Sequence, residues 1–283
     1  MEVTHFFEMN SAKKPIGIFD SGIGGLTVFK EIRKILPGEN LIYFGDTARV
    51  PYGNKSKETI IRYSKEITRF LVGSKVKMIV VACNTASSMA LRTLRKEFEL
   101  PVFGVIGPGA MSAYKKSNGG PVAVIGTAAT IQSRAYSLAI NNLNKTGEHI
   151  EIIEQACPLL VPLVEEGWVY SDVTAEVVRR YLKPVIEKKP SCLILGCTHY
   201  PIIKKLIVKE IGKTAVIIDS GKEVALELKR FLTKNNMLNK SGVKAAEHFF
   251  VSDAPEKFKI LGENFLGKKI RNVKVIRDFF MIL

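Results

Sequence analysis

Two short strings restrict what this chain can fold into. One is Met78-Ile79-Val80-Val81-Ala82-Cys83-Asn84-Thr85; the other is Leu193-Ile194-Leu195-Gly196-Cys197-Thr198-His199-Tyr200-Pro201. In each, an unbroken apolar run reaches a small residue, and a cysteine with polar company follows at once. An apolar run without polar alternation reads as a strand buried on both faces, which is the setting of parallel sheets covered by helices. The polar residues then stand just past the strand's carboxyl end, where open α/β sheets place ligands. Two such units imply two thiols turned toward one site.

The rest of the chain alternates in the same way. Strands are expected at 15–19, 41–44, 78–82, 102–106, 122–126, 149–154, 192–196, 216–218, 249–251 and 273–275, from their apolar runs. Helices are expected at 26–36, 58–72, 85–98, 172–188 and 202–211, from apolar residues recurring at helical spacing. The class is therefore α/β, with mostly parallel sheets flanked by helices. The recurring order of strand, glycine, polar residue and helix suggests two pseudo-symmetric lobes with a cleft between them. Gly107-Pro108-Gly109 reads as a break where the chain crosses from one lobe to the other. That assigns 1–107 and 221–283 to the first lobe and 108–220 to the second. Asp219-Ser220-Gly221 repeats the wording of Asp20-Ser21-Gly22, and 235–244 reads as a flexible loop.

Composition removes several classes of function. The chain has 283 residues, of which 46% are hydrophobic, enough for a large core. No apolar run approaches the roughly 20 residues of a membrane span. Segment 1–14 lacks the regions of a signal peptide, so the expected compartment is the cytoplasm. Four cysteines without a Cys-x-x-Cys pair give neither a disulfide framework nor a metal site. The formal charge of +15 is spread over segments that read as helices, such as Arg92-Thr93-Leu94-Arg95-Lys96. Solvated lysine on helix faces accounts for it better than a nucleic-acid partner. The glycine-rich stretch after the first strand, Asp20-Ser21-Gly22-Ile23-Gly24-Gly25, fails the dinucleotide spacing, because the third glycine falls on Thr27. It fits a loop that presents Asp20 and Ser21, or a simple helix cap.

A thiol serves as a nucleophile, a metal ligand or an acid and base. His199 lies two residues from Cys197 and on an extended segment shares its side, which permits a Cys–His hydrolase. That chemistry leaves Cys83 idle. Two acid/base thiols use both: inversion at a carbon needs a base on one face and an acid on the other. A thiol titrates near neutrality and can do either. Asp20 would tune Cys83 and His199 would tune Cys197, while Ser21, Asn84, Thr85 and Thr198 supply neutral hydrogen bonds. In Pro51-Tyr52-Gly53-Asn54, turn chemistry leaves Tyr52 at a loop tip or folded over a site. Cys192 opens an apolar strand and reads as core; Cys157 precedes a proline and suggests no role.

These pieces together resemble the glutamate racemases, within the wider aspartate/glutamate racemase superfamily. The strings that carry the resemblance are 18–26, Gly45-Asp46-Thr47-Ala48, Pro51-Tyr52-Gly53, 81–87, Gly126-Thr127-Ala128-Ala129-Thr130 and 195–201. Cys-Thr-His-Tyr-Pro and Asp-Ser-Gly-Ile-Gly-Gly point to the glutamate branch over an aspartate racemase or another amino-acid racemase. The resemblance implies cofactor-independent interconversion of L- and D-glutamate, supplying D-glutamate to peptidoglycan, by a homodimer. It implies that the thiolate of Cys83 takes the proton from D-glutamate and that of Cys197 from L-glutamate, assisted by Asp20 and His199. A glutamate in 163–167 is implicated, with Glu165 preferred over Glu166. The implied substrate contacts are Asp20, Ser21, Pro51, Tyr52, Gly53, Asn84, Thr85, Thr127, Thr198 and His199. Segment 1–14 is extra.

Overall fold

The computed structural model describes residues 12–144 and 150–277. The beginning of the leading segment, 1–11, and His149, expected to open a strand, lie outside the described residues. Strands β1 (Ile16–Asp20), β2 (Leu41–Gly45), β3 (Met78–Val81), β4 (Val102–Gly104), β9 (Glu247–Val251) and β10 (Val273–Val275) form one sheet. Strands β5 (Val122–Gly126), β6 (Ile152–Ala156), β7 (Cys192–Gly196) and β8 (Val216–Asp219) form another. Among the described residues every strand pairing is parallel. Central strands β1, β2, β3, β5 and β7 are buried along their whole length, which is why they read as continuous apolar runs. The edge strand β8 is more open, and Val216 at its start is exposed.

The two sheets share one topology. The first runs β10-β9-β2-β1-β3-β4 and the second β6-β5-β7-β8, so β2-β1-β3-β4 and β6-β5-β7-β8 match strand for strand. In such an order the crossovers leave in opposite directions between the first strand and the third, and a crevice opens at the carboxyl ends there. The residues following β1 and β3 meet at one such point; those following β5 and β7 meet at the other. By this correspondence Cys83 and Cys197 are equivalent, each just past the third strand of its sheet. The echo of Asp20-Ser21-Gly22 in Asp219-Ser220-Gly221 is not an equivalence. Asp20 ends a first strand, whereas Asp219 ends a fourth and caps a helix, its Oδ1 accepting from the backbone N–H groups of Gly221 and Lys222.

Helices α1 (Leu26–Ile35), α2 (Lys57–Gly73) and α3 (Asn84–Glu97) follow β1, β2 and β3. The next, α4 (Ile106–Ser117), links the sheets, since β4 belongs to the first and β5 to the second. Gly107-Pro108-Gly109 is therefore not a break but the first turn of α4. Proline is tolerated there because its missing N–H has no intrahelical acceptor in the first turn. Further along come α5 (Ala128–Gln132), α6 (Ala135–Leu143), α7 (Leu160–Glu165), α8 (Asp172–Glu187), α9 (Lys204–Ile211), α10 (Ser220–Lys234) and α11 (Pro255–Leu266). The expected strand at 149–154 is displaced to Ile152–Ala156. Within 235–244 no regular element follows the turn after α10. Among the described residues, no helix is long and apolar enough to cross a membrane.

Candidate active site

A cavity of about 280 Å³ opens where the carboxyl ends of both sheets converge. That is at the small end for ligand sites and suits a small metabolite. Its walls carry Cys83, Asn84 and Thr85 from the end of β3, and Cys197, Thr198 and His199 from the end of β7. Ser21 comes from the loop after β1, Thr127 from the end of β5, Pro51, Tyr52 and Gly53 from the turn after β2, and Glu165 from α7. The expected residues thus line one cavity, with one exception. Asp20 is fully buried beneath it and is not on its wall.

The two sulfurs sit in opposite electrostatic company. Cys83 is the N-cap of α3; its Sγ accepts from the backbone N–H of Ala86 at 3.5 Å and donates to Ser21 Oγ at 3.6 Å. A helix N-terminus and its backbone donor favour a thiolate. Burial overrides them and, with the nearby Asp20 carboxylate, pushes the Cys83 thiol up to about 12. Asp20 is itself raised by burial, against the pull of His199 and the backbone N–H groups of Gly22 and Gly25. One of its oxygens accepts from Gly22 at 2.9 Å; the other is buried without a partner.

Cys197 faces a cation instead. Its Sγ lies 3.8 Å from His199 Nδ1, and His199 Nε2 lies 3.0 Å from Glu165 Oε1. Burial alone would lower the imidazole, but its hydrogen bonds to Cys197 and Glu165 win and hold it at about 10. Glu165 moves the other way, because the His199 contacts outweigh its burial and lower it. It is Glu165 that makes this pair; Glu166 caps the end of α7. A positive imidazolium beside a sulfur is the company that activates cysteine in known sites. The sign for stability follows. His199 titrates higher folded than its ordinary 6.5, so its contribution is full below that pH and is lost as pH rises through about 10. Glu165→Gln removes the anion and is expected to bring the His199 midpoint down by about one to three pH units. An NMR titration of the imidazole measures it; an unmoved midpoint would show that Glu165 does not set the charge.

Other contacts fix the walls. Thr85 Oγ1, from the first sheet, meets Thr127 Oγ1 at 3.0 Å and Thr130 Oγ1 at 3.2 Å, from the second. Thr27 Oγ1 donates to the Thr198 carbonyl at 2.8 Å. Tyr52 is not at a loop tip: it is buried, and its hydroxyl donates to Asp46, which also accepts from Arg49 and Ser252. Its phenol is therefore committed away from the cavity, leaving the ring and the backbone of the turn as the wall. Gly24 and Gly25 are needed for close approach. A Cβ on Gly24 would lie 2.3 Å from Thr198 Oγ1 and 2.5 Å from His199 Cε1, and one on Gly25 would lie 2.4 Å from Asp20 Cβ. The glycines of this loop thus let it pack under both His199 and Asp20, which explains a glycine-rich turn that binds no dinucleotide. Pro158, Val161 and Pro162 also line the cavity, from the entry and body of α7, the helix that carries Glu165. Cys157 and Cys192 are fully buried. Among the described residues, no three His, Cys, Asp or Glu side chains are grouped to hold a metal ion.

A family model described as Asp/Glu/Hydantoin racemase matches residues 16–228. A glutamate racemase of Geobacter metallireducens is 49% identical over 260 residues, covering 92% of this chain and 95% of that one. The chain belongs to the glutamate racemase family. Solved structures of the family share its fold. The crystal structure of a glutamate racemase isoform from Bacillus anthracis superimposes with a TM-score of 0.89 at 37% identity, covering 93% of this chain and 97% of that one. The glutamate racemase from Francisella tularensis, solved in complex with D-glutamate, gives 0.86 at 39% identity, covering 94% and 98%. The two helix-flanked parallel sheets are thus the architecture of glutamate racemases, which are isomerases.

Proposed function

We propose that this protein interconverts L- and D-glutamate without a cofactor, one of Cys83 and Cys197 taking the α-proton while the other gives a proton to the opposite face of the carbon. The observation that carries the reading is that two cysteines at topologically equivalent strand ends line one small cavity. In one direction the Cys197 thiolate takes the α-proton of L-glutamate, and the electron pair of the broken C–H bond stays on carbon, spread into the carboxylate. Cys83 then gives its proton to the opposite face, yielding D-glutamate and leaving the negative charge on its own sulfur. The reverse reaction exchanges the roles. His199, held by Glu165, steadies the charge on Cys197, and Asp20 beneath the cavity bears on Cys83. Ser21, Asn84, Thr85, Thr127, Thr198 and the backbone of Pro51, Tyr52 and Gly53 hold the substrate. A small, largely buried site with fixed hydrogen-bond donors lowers the cost of the carbanion.

The lobes are taken as 1–107 with 221–283, and 108–220. The working form is a homodimer, for which light scattering in solution is the test. The role is supply of D-glutamate for peptidoglycan in the cytoplasm. A second reading has one specific observation in its favour: the row from Cys197 through His199 to Glu165 also suits a Cys–His nucleophile. Glutamate incubated with the protein in D₂O separates the two. Racemisation takes up solvent deuterium at the α-carbon. Racemisation that leaves the α-carbon unlabelled rules out proton exchange at thiols.

A further inference from the structure

We propose that Tyr136 is a positioning residue that orients the side-chain amide of Asn84, so that its N–H groups are kept for the substrate's carboxylate. The inference rests on the racemase reading above. Asn84 follows Cys83 directly, is 2% exposed, and lines the cavity. Its Oδ1 accepts a hydrogen bond from the Tyr136 hydroxyl at 2.7 Å, while its Nδ2 is buried with no partner. An asparagine amide has one acceptor and one double donor of nearly equal shape, so its partners decide which end faces where. Here the acceptor is occupied and the donor is left over. A buried unpartnered donor costs stability, and in a native structure it calls for a reason. What a double N–H donor accepts best is an anionic oxygen, and an amino-acid substrate brings a carboxylate.

Tyr136 is built for that task. It stands on α6, which packs with the second sheet's helices, so its hydroxyl reaches from that side to Asn84 at the end of β3. Its ring is 1% exposed and wedged between two glycines. A Cβ on Gly109 would lie 3.2 Å from Tyr136 Cε1, and one on Gly196 would lie 3.2 Å from Cε2. Gly196 is the residue before Cys197, so this one ring touches the strand end of one thiol and holds the neighbour of the other. Burial pushes its phenol upward, so the hydroxyl keeps its proton and remains a donor.

Steady-state racemisation by the whole protein tests the proposal with Tyr136→Phe, Asn84→Ala, the double variant, and Asn84→Asp. Tyr136→Phe keeps the wedge filled and frees the amide. KM for glutamate is expected to rise about ten- to hundredfold, with a smaller change in kcat. In the Asn84→Ala background the same change should add less than about twofold, since there is no amide left to orient. Asn84→Asp is the sharper arm, and it preserves shape. Tyr136 would hold one carboxylate oxygen and turn the other, charged, onto the substrate's carboxylate. Activity should then fall about tenfold or more below that of Asn84→Ala, where a merely structural contact predicts the reverse. Additive effects of Tyr136→Phe and Asn84→Ala, or Asn84→Asp matching or exceeding Asn84→Ala, overturn the proposal. If Tyr136→Phe fails to fold, the Asp-against-Ala comparison decides alone. A wild-type chain that leaves glutamate unchanged in the same assay overturns the racemase reading, and this inference with it. A wild type that racemises, with additive variants, overturns this inference alone.

Discussion

L-Glutamate incubated with Cys83→Ala keeps its optical activity, and so does D-glutamate incubated with Cys197→Ala. Each variant lacks either the acid or the base of an obligatory pair, so racemisation falls by more than about 10³-fold in both directions. The expectation is symmetrical because the two residues occupy equivalent strand ends on one cavity. Each variant also retains one complete base. Elimination of a leaving group from a β-substituted glutamate analogue needs only proton removal on one face, so that reaction survives, on opposite enantiomers for the two variants. Polarimetry with the two substrates and the analogue distinguishes the outcomes. Full activity in Cys83→Ala, with total loss in Cys197→Ala, would establish the Cys–His nucleophile instead.

The second large effect lies at a residue that is not on the cavity wall. In Gly24→Ala one methyl group is placed 2.3 Å from Thr198 Oγ1, 2.5 Å from His199 Cε1 and 2.6 Å from His199 Nδ1. Separations that short are not tolerated, so the loop or the His199 ring must shift. The Thr198 backbone is held by Thr27, and His199 is held by Glu165. A displacement of about 1 Å at a catalytic group costs on the order of 10²-fold in rate. The fold loses only what overpacking costs, about 1–3 kcal/mol. The result expected is kcat reduced about a hundredfold in a protein that still melts cooperatively by circular dichroism. Gly73→Ala is the control, since a methyl there meets nothing within 4 Å. Gly24→Ala with wild-type kcat would mean that the glycine loop does not set His199.

Most of the architecture was legible because most of it is written in apolar runs. β3 lies inside one sheet and β7 inside the other, so their sequences cannot be confused with half-exposed strands. Helices α2 and α8 match the expected 58–72 and 172–188 to within a residue at each end. The failures have local causes. Helix α10 begins with Ser220-Gly221, which reads as a loop until Asp219 is seen to cap it. Gly107-Pro108-Gly109 reads as a break because both residue types weaken helix interiors, yet at a first turn neither does. Helix α11 was missed, although it brings the ring of Phe265 edge-on to His199. In the site, the residues on strand ends and loops were found, because polar residues after apolar runs stand out. Asp20 follows an apolar run in the same way, but its side chain lies beneath the cavity. Tyr136 and Asp46 could not be found, since one is an aromatic at helical spacing and the other an acid in a polar loop. Their importance comes from partners 52 and 206 positions away.

The unlike surroundings of the two sulfurs give the enzyme a history. Burial and Asp20 keep a proton on Cys83, while a cation stands by Cys197. On the proposed mechanism one passage spends the Cys83 proton on the product and leaves the substrate's α-proton on Cys197. A molecule that has just discharged one enantiomer is then primed for the mirror image alone, and must reload from water before it repeats the first conversion. Under rapid one-way flux, that reloading becomes a step of the cycle in its own right.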